Sequence, residues 1–259
     1  MATARKAKVR KQSIDEVQRP LRIVPLHSAS RAAAMGSPEL TYRDGPLLTN
    51  VQVFAIFWGK AWQDSVNSTL VGHMNDFFDF ILTSKLIDQL SEYNVPSKTI
   101  GHGARSGSLV LTTSEPAKSV TDAAIQKMLQ SEIASSALPT NTPDSLYFVF
   151  LPPGAQVSQG GAKSCETFCG YHDATNDNIF YAVMPYPGCT GCEGGLAIPD
   201  ALTSTSSHEL CEAITDPIPG TGWYDDANGE IGDICSWKTK TLGGYMVQLE
   251  WSNQAEACV

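Results

Sequence analysis

The sequence predicts one mixed α/β (α+β) domain over residues 46–259, with a mixed β-sheet flanked by helices and a loop-rich C-terminal part. Three observations lead to this prediction. Short apolar runs typical of buried strands alternate with longer segments of helical periodicity. The composition, 42% hydrophobic and 17% charged residues, is that of a globular protein that can bury a core. No internal repeat divides the sequence.

Each element follows from a local pattern. Apolar and aromatic runs predict the strands, and apolar residues spaced three and four apart predict the helices. Pro96 ends the first helix, and Ser119 or Thr121 caps the second. In chain order the prediction is a strand at 51–58, a helix at 64–93, a strand at 108–113, a helix at 119–137, strands at 145–154 and 178–188, a helix at 199–215 and a final strand at 243–251.

The N-terminal segment differs from the rest of the chain in charge. Residues 1–31 carry eight Lys and Arg against two acidic residues, whereas the remaining residues carry ten basic and twenty-five acidic ones. We therefore interpret 1–45 as a flexible basic arm or pro-segment. The acidic body would repel phosphates, which argues against nucleic-acid binding. The sequence has neither a long apolar run nor the apolar core of a secretory signal, so we expect no membrane span.

Acidic residues are concentrated where basic residues are missing. From Ser164 to Trp237 there is no Lys or Arg over 74 residues, while twelve carboxylates fall in the same window. If several of them converge in the fold, an outside cation or raised pKa values must offset their repulsion. The alternative is a set of separate, solvated surface acids.

The motif "SSHELCEAITDP" (206–217) lies in the predicted helix at 199–215. Residues four apart share one face of a helix, so His208 and Glu212 point the same way and Glu209 lies one step round. His208 and Glu212 are therefore candidate metal ligands, and Glu209 is a candidate base that activates water. The alternative is a capped polar helix with surface acids.

A third ligand is expected from the segment "WYDDANGEIGD", which follows this helix. Glu230 lies 22 residues after His208 and is the first candidate; Asp233, 25 residues after it, is the second. Two carboxylates and a neutral imidazole cancel the charge of a divalent ion, which predicts a loosely held zinc and a weak Lewis acid. Manganese and calcium then compete with zinc. A separate calcium candidate is "DDANGE" (225–230), through Asp226, Asn228 and Glu230.

The paired cysteines in "CETFC" and "CTGC" admit either a four-thiolate zinc site or disulfides in an oxidising compartment. The spacing is not the short, even spacing of a zinc ribbon, which favours disulfides. Cys235 and Cys258 flank the final strand and could hold the C-terminus in place. The disulfide candidates are Cys165, Cys169, Cys189, Cys192, Cys235 and Cys258, whereas Cys211 is expected to be buried.

His172, in "CGYHD", is the remaining histidine with a candidate role. One interpretation is purely structural. The other is catalytic: if its segment returns to the helix, His172 would support the metal ligands or the transition state.

These motifs together resemble two families. An H-E helix after several strands resembles the zincin metallopeptidases, with Glu212 in place of their second histidine. The segments "SHELCEAITDP", "GWYDDANGEIGDIC" and "GGYMVQLEWSNQAEAC" more closely resemble the EXORDIUM or phosphate-induced protein family, and "FCGYH", "CTGC" and "FAIFWGKAW" extend the likeness over most of 50–259. The first resemblance implies a zincin-like fold with 199–215 as the active-site helix, zinc on His208, Glu212 and Glu230 or Asp233, and Glu209 as base. The second implies a secreted, cell-wall-associated protein with disulfides.

The sequence therefore predicts a metal-dependent, peptidase-like hydrolase that acts on a peptide or protein substrate. The alternative is a non-catalytic secreted or cell-surface binding or signalling protein of EXORDIUM type, in which the metal is structural. An open coordination position and a substrate groove would indicate the enzyme. Closure of the site by a fourth protein ligand, Asp216 or Asp233, would indicate the structural role.

Overall fold

The computed structural model describes residues 23–27 and 37–259. Within them the helices are α1 (Ser65–Ile81), α2 (Lys85–Gln89), α3 (Asp122–Ala134), α4 (Thr190–Glu193) and α5 (Ile198–Thr215), with 3₁₀ turns at Lys60–Gln63, Leu90–Tyr93 and Asp233–Cys235. The strands are β1 (Val24–Pro25), β2 (Thr41–Tyr42), β3 (Gln52–Trp58), β4 (Ala104–Leu111), β5 (Ser119–Thr121), β6 (Ser145–Phe150), β7 (Gln156–Gln159), β8 (Ala162–Lys163), β9 (Phe168–Ala174), β10 (Phe180–Met184), β11 (Trp223–Tyr224), β12 (Thr239–Leu242), β13 (Tyr245–Gln248), β14 (Trp251–Ser252) and β15 (Ala257–Cys258).

A six-stranded sheet in the order β1-β9-β10-β6-β3-β4 confirms the predicted mixed sheet. Strands β4, β3, β6 and β10 are parallel to one another, whereas β9 runs antiparallel to β10 and β1 antiparallel to β9. The inner parallel strands β3, β6 and β10 are mainly apolar because both of their faces are covered. The antiparallel strand β9 lies beside α5, which it contacts.

The two faces of the sheet bury two separate cores. In β3, Val53, Ala55 and Phe57 face the core formed with α1 and α5, whereas Ile56 and Trp58 face the core formed with α3. This alternation is the period-two pattern of a strand. Each fully buried side chain of this kind contributes roughly 1.5–3 kcal/mol to folding. The sheet and α5 are therefore a rigid platform for any group that α5 carries.

The structure differs from the prediction at three places. The helix at 64–93 is wrong in extent: α1 ends at Ile81, and α2 starts separately because the hydroxyl of Ser84 caps it, accepting from N of Leu86 at 3.2 Å. Strand β9 was not predicted. The final strand at 243–251 is instead a hairpin, β12 with β13, followed by the short strand β14. Of the two caps considered for the second helix, Thr121 is confirmed, since it accepts from N of Ala124 at 3.2 Å.

Part of the segment interpreted as a flexible arm is packed in the fold. Val24 is fully buried in β1, and Thr41–Tyr42 pairs with Trp223–Tyr224. The packed part of the chain therefore begins before residue 46, and the rest of the arm, 1–22 and 28–36, lies outside the described residues. In the described part of the chain, no helix has both the length and the apolar character needed to cross a membrane.

Three disulfides decide between the two interpretations of the cysteines. Cys165 bonds to Cys189, Cys169 to Cys192, and Cys235 to Cys258. The four-thiolate zinc alternative is therefore wrong. Cys211 is buried and free, as expected.

Candidate metal centre

Helix α5 is enclosed on all sides, which is unusual for a helix with so many polar residues. It contacts β9 and β10 of the sheet, β13 of the hairpin, and α1. Small residues allow this close packing, and some of their hydroxyls bond to the helix backbone: Ser207 donates to O of Ser204 at 2.8 Å, and Thr215 to O of Cys211 at 2.9 Å. All side chains from Ala201 to Thr215 are buried. The alternative of a polar helix with surface acids is therefore wrong.

His208 and Glu212 share one face of α5, as their spacing predicts. Nε2 of His208 lies 2.9 Å from Oε1 of Glu212, yet Nε2 has no hydrogen-bond partner of acceptable geometry. Two ligands of one zinc ion lie about 3 Å apart, so this close but misaligned pair fits a shared cation. The loop after α5 closes on the same place, because N of Asp233 donates to Oε1 of Glu212 at 3.0 Å.

The ligand atoms of His208, Glu212 and Asp233 all lie within 4.8 Å of one another. Asp233, the second candidate for the third ligand, is thus the one that joins His208 and Glu212. The close approach of its loop requires a glycine: a Cβ on Gly232 would lie 2.8 Å from Nδ1 of His208 and 3.0 Å from Oε1 of Glu212.

Glu230, the first candidate, lies elsewhere in the same cluster. Its Oε1 is 3.4 Å from Nε2 of His172, and it does not belong to the group around His208. The backbone N of Glu230 donates to Oδ2 of Asp233 at 3.3 Å. The irregular backbone of this loop, not the distance along the chain from His208, therefore decides that Asp233 and not Glu230 lies beside His208.

His172 reaches the cluster from β9, the strand that was not predicted. Nδ1 of His172 and Oε2 of Glu209 share a hydrogen bond of 3.0 Å, and Nε2 donates to O of Asp216 at 3.1 Å. The strand can approach because residue 170 is glycine: a Cβ there would lie 2.7 Å from Thr205 and 3.3 Å from Oε1 of Glu209. The segment of His172 does return to the helix, so the condition for its catalytic interpretation is met.

Asp216, considered as a closing ligand, is occupied by the backbone. Its carboxylate accepts from N of Gly220 at 2.6 Å, Thr221 at 3.0 Å and Gly222 at 2.5 Å. These bonds fix the loop that follows α5. They leave the carbonyl of Asp216, not its side chain, facing His172.

Burial and charge act on this cluster in opposite directions. Burial raises the pKa of Glu230 well above its usual range and raises the pKa of Glu209, although contact with His172 opposes both shifts. Burial would also raise the pKa of Glu212, but contacts with His208 and His172 outweigh it and lower that pKa. Burial would lower the pKa of His172, but the charge of Glu230 and hydrogen bonds with Glu209 and Glu212 raise it well above 6.5.

His208 needs a separate argument. Burial lowers its pKa, and the charge of Glu212 more than offsets that effect. However, the amide nitrogen of Gln248 faces Nδ1 of His208 at 2.8 Å, and an amide nitrogen can only donate. We therefore favour the neutral ring, with its proton on Nε2.

Several buried polar atoms of the cluster lack a hydrogen-bond partner among the described residues. They are Nε2 of His208, Oε1 of Glu209 and both carboxylate oxygens of Glu230. Each such atom costs about 1–3 kcal/mol. Imidazole nitrogens and carboxylate oxygens are also the ligands that zinc and related divalent ions prefer. The residues present therefore fit a divalent cation.

The cluster is closed to solvent. The side chains of His172, His208, Glu209, Glu212, Glu230 and Asp233 belong to residues that are at most 2% exposed. Two surface cavities, of about 1190 and 570 Å³, have no lining residue from this set. The larger one is lined by Asp122, Gln126 and Asp173, on the side of the sheet that α3 covers.

The separate calcium candidate at 225–230 is wrong, because the structure separates its ligands. Asp226 is exposed and pairs with Arg43 at 2.9 Å, whereas Glu230 is fully buried. Asp225 instead accepts from N of Ala227 at 2.8 Å and N of Asn228 at 2.9 Å, which shapes a turn.

Two buried residues near the cluster were missed by the sequence analysis. Gln248 holds the ring of His208 from β13, and Glu250 lies fully buried beyond it. The run "YMVQLEW" contains a Gln and a Glu at alternate positions of a predicted strand. That alternation was the available signal, but it is equally typical of a solvent-facing side.

Comparison with protein-family models, with curated proteins and with solved structures finds no match to this chain. The resemblance to zincins and to EXORDIUM therefore rests on the sequence motifs.

Proposed function

We propose that this chain is a metal-dependent, peptidase-like hydrolase that holds one divalent cation, with zinc as the first choice, on His208, Glu212 and Asp233. One observation carries the proposal: the ligand atoms of these three residues lie within 4.8 Å of one another, and the helix that provides two of them also carries Glu209. The burial of these three residues and the unpartnered Nε2 of His208 support a cation over a solvated acidic surface.

A divalent cation at this place supplies Lewis acidity, which polarises a carbonyl and lowers the pKa of water. The ligand set of one imidazole and two carboxylates neutralises the ion's charge. The Lewis acid is therefore weaker than one held by two histidines and a carboxylate, and we expect activity to favour mildly alkaline pH.

Glu209 and His172 together can accept and return a proton. Nε2 of His172 is anchored on the carbonyl of Asp216, so its other nitrogen stays turned toward Glu209. In the proposed reaction Glu209 takes a proton from the water that attacks the peptide carbonyl. The proton then passes to the leaving nitrogen as the C–N bond breaks.

A second candidate function is a closed, non-catalytic centre that stabilises a binding or signalling protein. The observation that favours it is the complete burial of the cluster, with none of its six residues more than 2% exposed. Hydrolysis would require the elements over the cluster to open and admit a substrate, since catalytic zinc sites keep an open position.

Replacing Glu209 by Gln separates the two functions. In zinc-reconstituted protein tested on a mixed peptide substrate, E209Q should lower the hydrolysis rate at least 100-fold while the tightest-bound ion is retained. Glu166→Gln, at an exposed glutamate, is the matched control and should leave the rate unchanged. Equal hydrolysis by E209Q and the wild type would remove the proposed mechanism. Bound metal without hydrolysis in the wild type would favour the closed centre.

A further inference from the structure

The orientation of His172 is that of a metal ligand, not only of a proton carrier. Its Nε2 donates to the carbonyl of Asp216 at 3.1 Å. Metal-binding histidines commonly fix their ring in this way, by donating the other ring N–H to a carbonyl or carboxylate. Nδ1 then points between two carboxylates, 3.0 Å from Oε2 of Glu209 and 3.5 Å from Oε2 of Glu212.

These atoms form a second group of converging ligands. One ligand atom each from His172, Glu209 and Glu212 lies within 4.8 Å of the others. Glu209 also carries a buried oxygen, Oε1, that has no hydrogen-bond partner among the described residues. A fully buried carboxylate oxygen without a partner is a second observation that favours a bound cation at this place.

Glu212 belongs to both groups through different oxygens. Its Oε1 lies beside Nε2 of His208 and accepts from N of Asp233, while its Oε2 faces Nδ1 of His172. A carboxylate turned in this way bridges two ions that are about 3.5–4 Å apart in two-metal sites.

The charge of the cluster is also consistent with two divalent ions. Glu209, Glu212, Glu230 and Asp233 are all buried, and no Lys or Arg of residues 37–259 forms an ion pair with the first three. Protons on His172 or on the carboxylates offset this charge when no ion is bound, and two divalent ions would neutralise the four carboxylates in place of those protons. Uncompensated charge in a dry interior is strongly unfavourable.

We propose that the chain has a second divalent-cation subsite, formed by Nδ1 of His172 with the carboxylates of Glu209 and Glu212, and that Glu212 bridges it to the His208–Asp233 subsite. The nitrogen and oxygen ligands suit zinc, cobalt or manganese. Glu230 lies 3.4 Å from Nε2 of His172, on the other side of the ring. Its carboxylate would neutralise the one positive charge that two divalent ions leave after Glu209, Glu212 and Asp233.

Occupation of the second subsite has a regulatory consequence, which rests on the proposed function. Glu209 and His172 cannot accept a proton while both coordinate an ion. The form with two ions is therefore inactive, and zinc in excess of one equivalent inhibits hydrolysis.

The test is the number of ions bound per chain. Full-length protein, stripped with a chelator, is titrated with zinc and its metal content is measured after equilibrium dialysis. The wild type and the exposed control Glu166→Gln should bind two ions. His172→Gln, whose amide can still reach the carbonyl of Asp216 but offers nothing at Nδ1, should bind one, and Asp233→Asn should also bind one. A single ion in the wild type, or two in His172→Gln, would overturn the proposal.

A spectroscopic measurement on the wild type covers the case in which His172→Gln does not fold. Manganese is added to the stripped protein and followed by electron paramagnetic resonance. Two equivalents should give the exchange-coupled signal of a carboxylate-bridged pair, and two uncoupled signals would contradict the shared Glu212. Neither measurement uses hydrolysis, so failure of the proposed enzyme activity leaves the result on the second subsite intact.

Discussion

The amide of Gln248 sets the protonation of His208. Its Nε2 lies 2.8 Å from Nδ1 of His208 and donates to O of Gly232 at 2.9 Å, while its Oε1 accepts from N of Trp237 at 3.1 Å. The bonds to Gly232 and Trp237 require the amide nitrogen of Gln248, not its oxygen, to face the ring. Nδ1 of His208 therefore accepts, and the ring proton on Nε2 faces Glu212. A cation at Nε2 must replace that proton; the ring then carries its proton on Nδ1, and the amide of Gln248 must turn its oxygen toward that proton.

Replacing Gln248 by Glu should tighten cation binding. A carboxylate accepts from Nδ1–H and so favours the ring form whose Nε2 is free for a metal. We expect the affinity for the first zinc ion to rise about 10-fold, measured by competition with a chromophoric chelator. Gln248→Met, which can neither donate nor accept a strong hydrogen bond at this place, is the control and should not tighten binding. Equal affinities in Q248E and the wild type would contradict the assigned ring form.

The choice between the two candidate third ligands gives a second prediction. Asp233→Asn should weaken the first zinc ion at least 10-fold, because a neutral amide replaces a charged ligand. Glu230→Gln should weaken it less, since Glu230 contacts His172 and not His208. Asp226→Asn, at an exposed side chain, should have no effect. Isothermal titration of the four proteins ranks these affinities, and a larger loss in E230Q than in D233N would restore Glu230 as the ligand.

Glu250 predicts how the stability of the metal-free protein depends on pH. Burial raises its pKa well above its usual range, and neither carboxylate oxygen has a hydrogen-bond partner among the described residues. The folded state thus keeps this proton to a higher pH than the unfolded state, whose pKa is about 4.3. Stability is greatest below that value and falls as pH rises toward the folded pKa, by up to about 1.4 kcal/mol per pH unit.

Replacing Glu250 by Gln removes this dependence. In urea unfolding between pH 5 and 8 with chelator present, the stability of E250Q relative to the wild type should increase with pH. Glu166→Gln, at an exposed position, should show a flat difference. A flat difference for E250Q as well would mean that Glu250 ionises normally in the folded protein.

The Cys235–Cys258 disulfide lies close in sequence to Asp233 of the proposed metal centre. Its two cysteines are 23 residues apart, and closing a loop of that size stabilises the folded state by about 3 kcal/mol. Cys235 also shares a 3₁₀ turn with Asp233. The double variant Cys235→Ala/Cys258→Ala should therefore lose about 3 kcal/mol of unfolding free energy and also bind zinc more weakly.

The Cys165–Cys189 pair is the matched comparison, since its separation is 24 residues and neither cysteine belongs to the turn of Asp233. Removing it should lower stability by a similar amount while leaving zinc affinity unchanged. Equal losses of affinity in both double variants would show that the effect comes from general destabilisation.

The sequence was sufficient where one local pattern determines the structure. The apolar run of β3 is one such case, the start of α5, with Pro199 in its first turn, is another, and the shared face of His208 and Glu212 is a third. It was insufficient for β9, whose residues "FCGYHDA" are buried on both faces but show no apolar run or alternation. The sequence-based prediction also treated α1 and α2 as one helix. The apolar spacing continues past Ser84, so the N-cap of α2 at Ser84 was not recognised.

The third ligand could not be predicted for a different reason. Glu230 and Asp233 lie three residues apart, so their distances from His208 along the chain are nearly equal. Their placement depends on the loop from Gly229 to Gly232, where the missing Cβ of Gly232 lets the backbone press against His208. Such irregular backbone has no periodic signature in a sequence.

Metal content is the most direct test of a cation centre in this cluster. Untagged protein and Glu212→Gln are purified without chelator and analysed for transition metals by elemental analysis. We predict at least one ion per chain in the wild type and its loss in E212Q, since Glu212 contributes an oxygen to each group of ligands. Absence of metal in both proteins, even after zinc is added in excess and dialysed away, would contradict the centre and leave α5 as a buried structural helix.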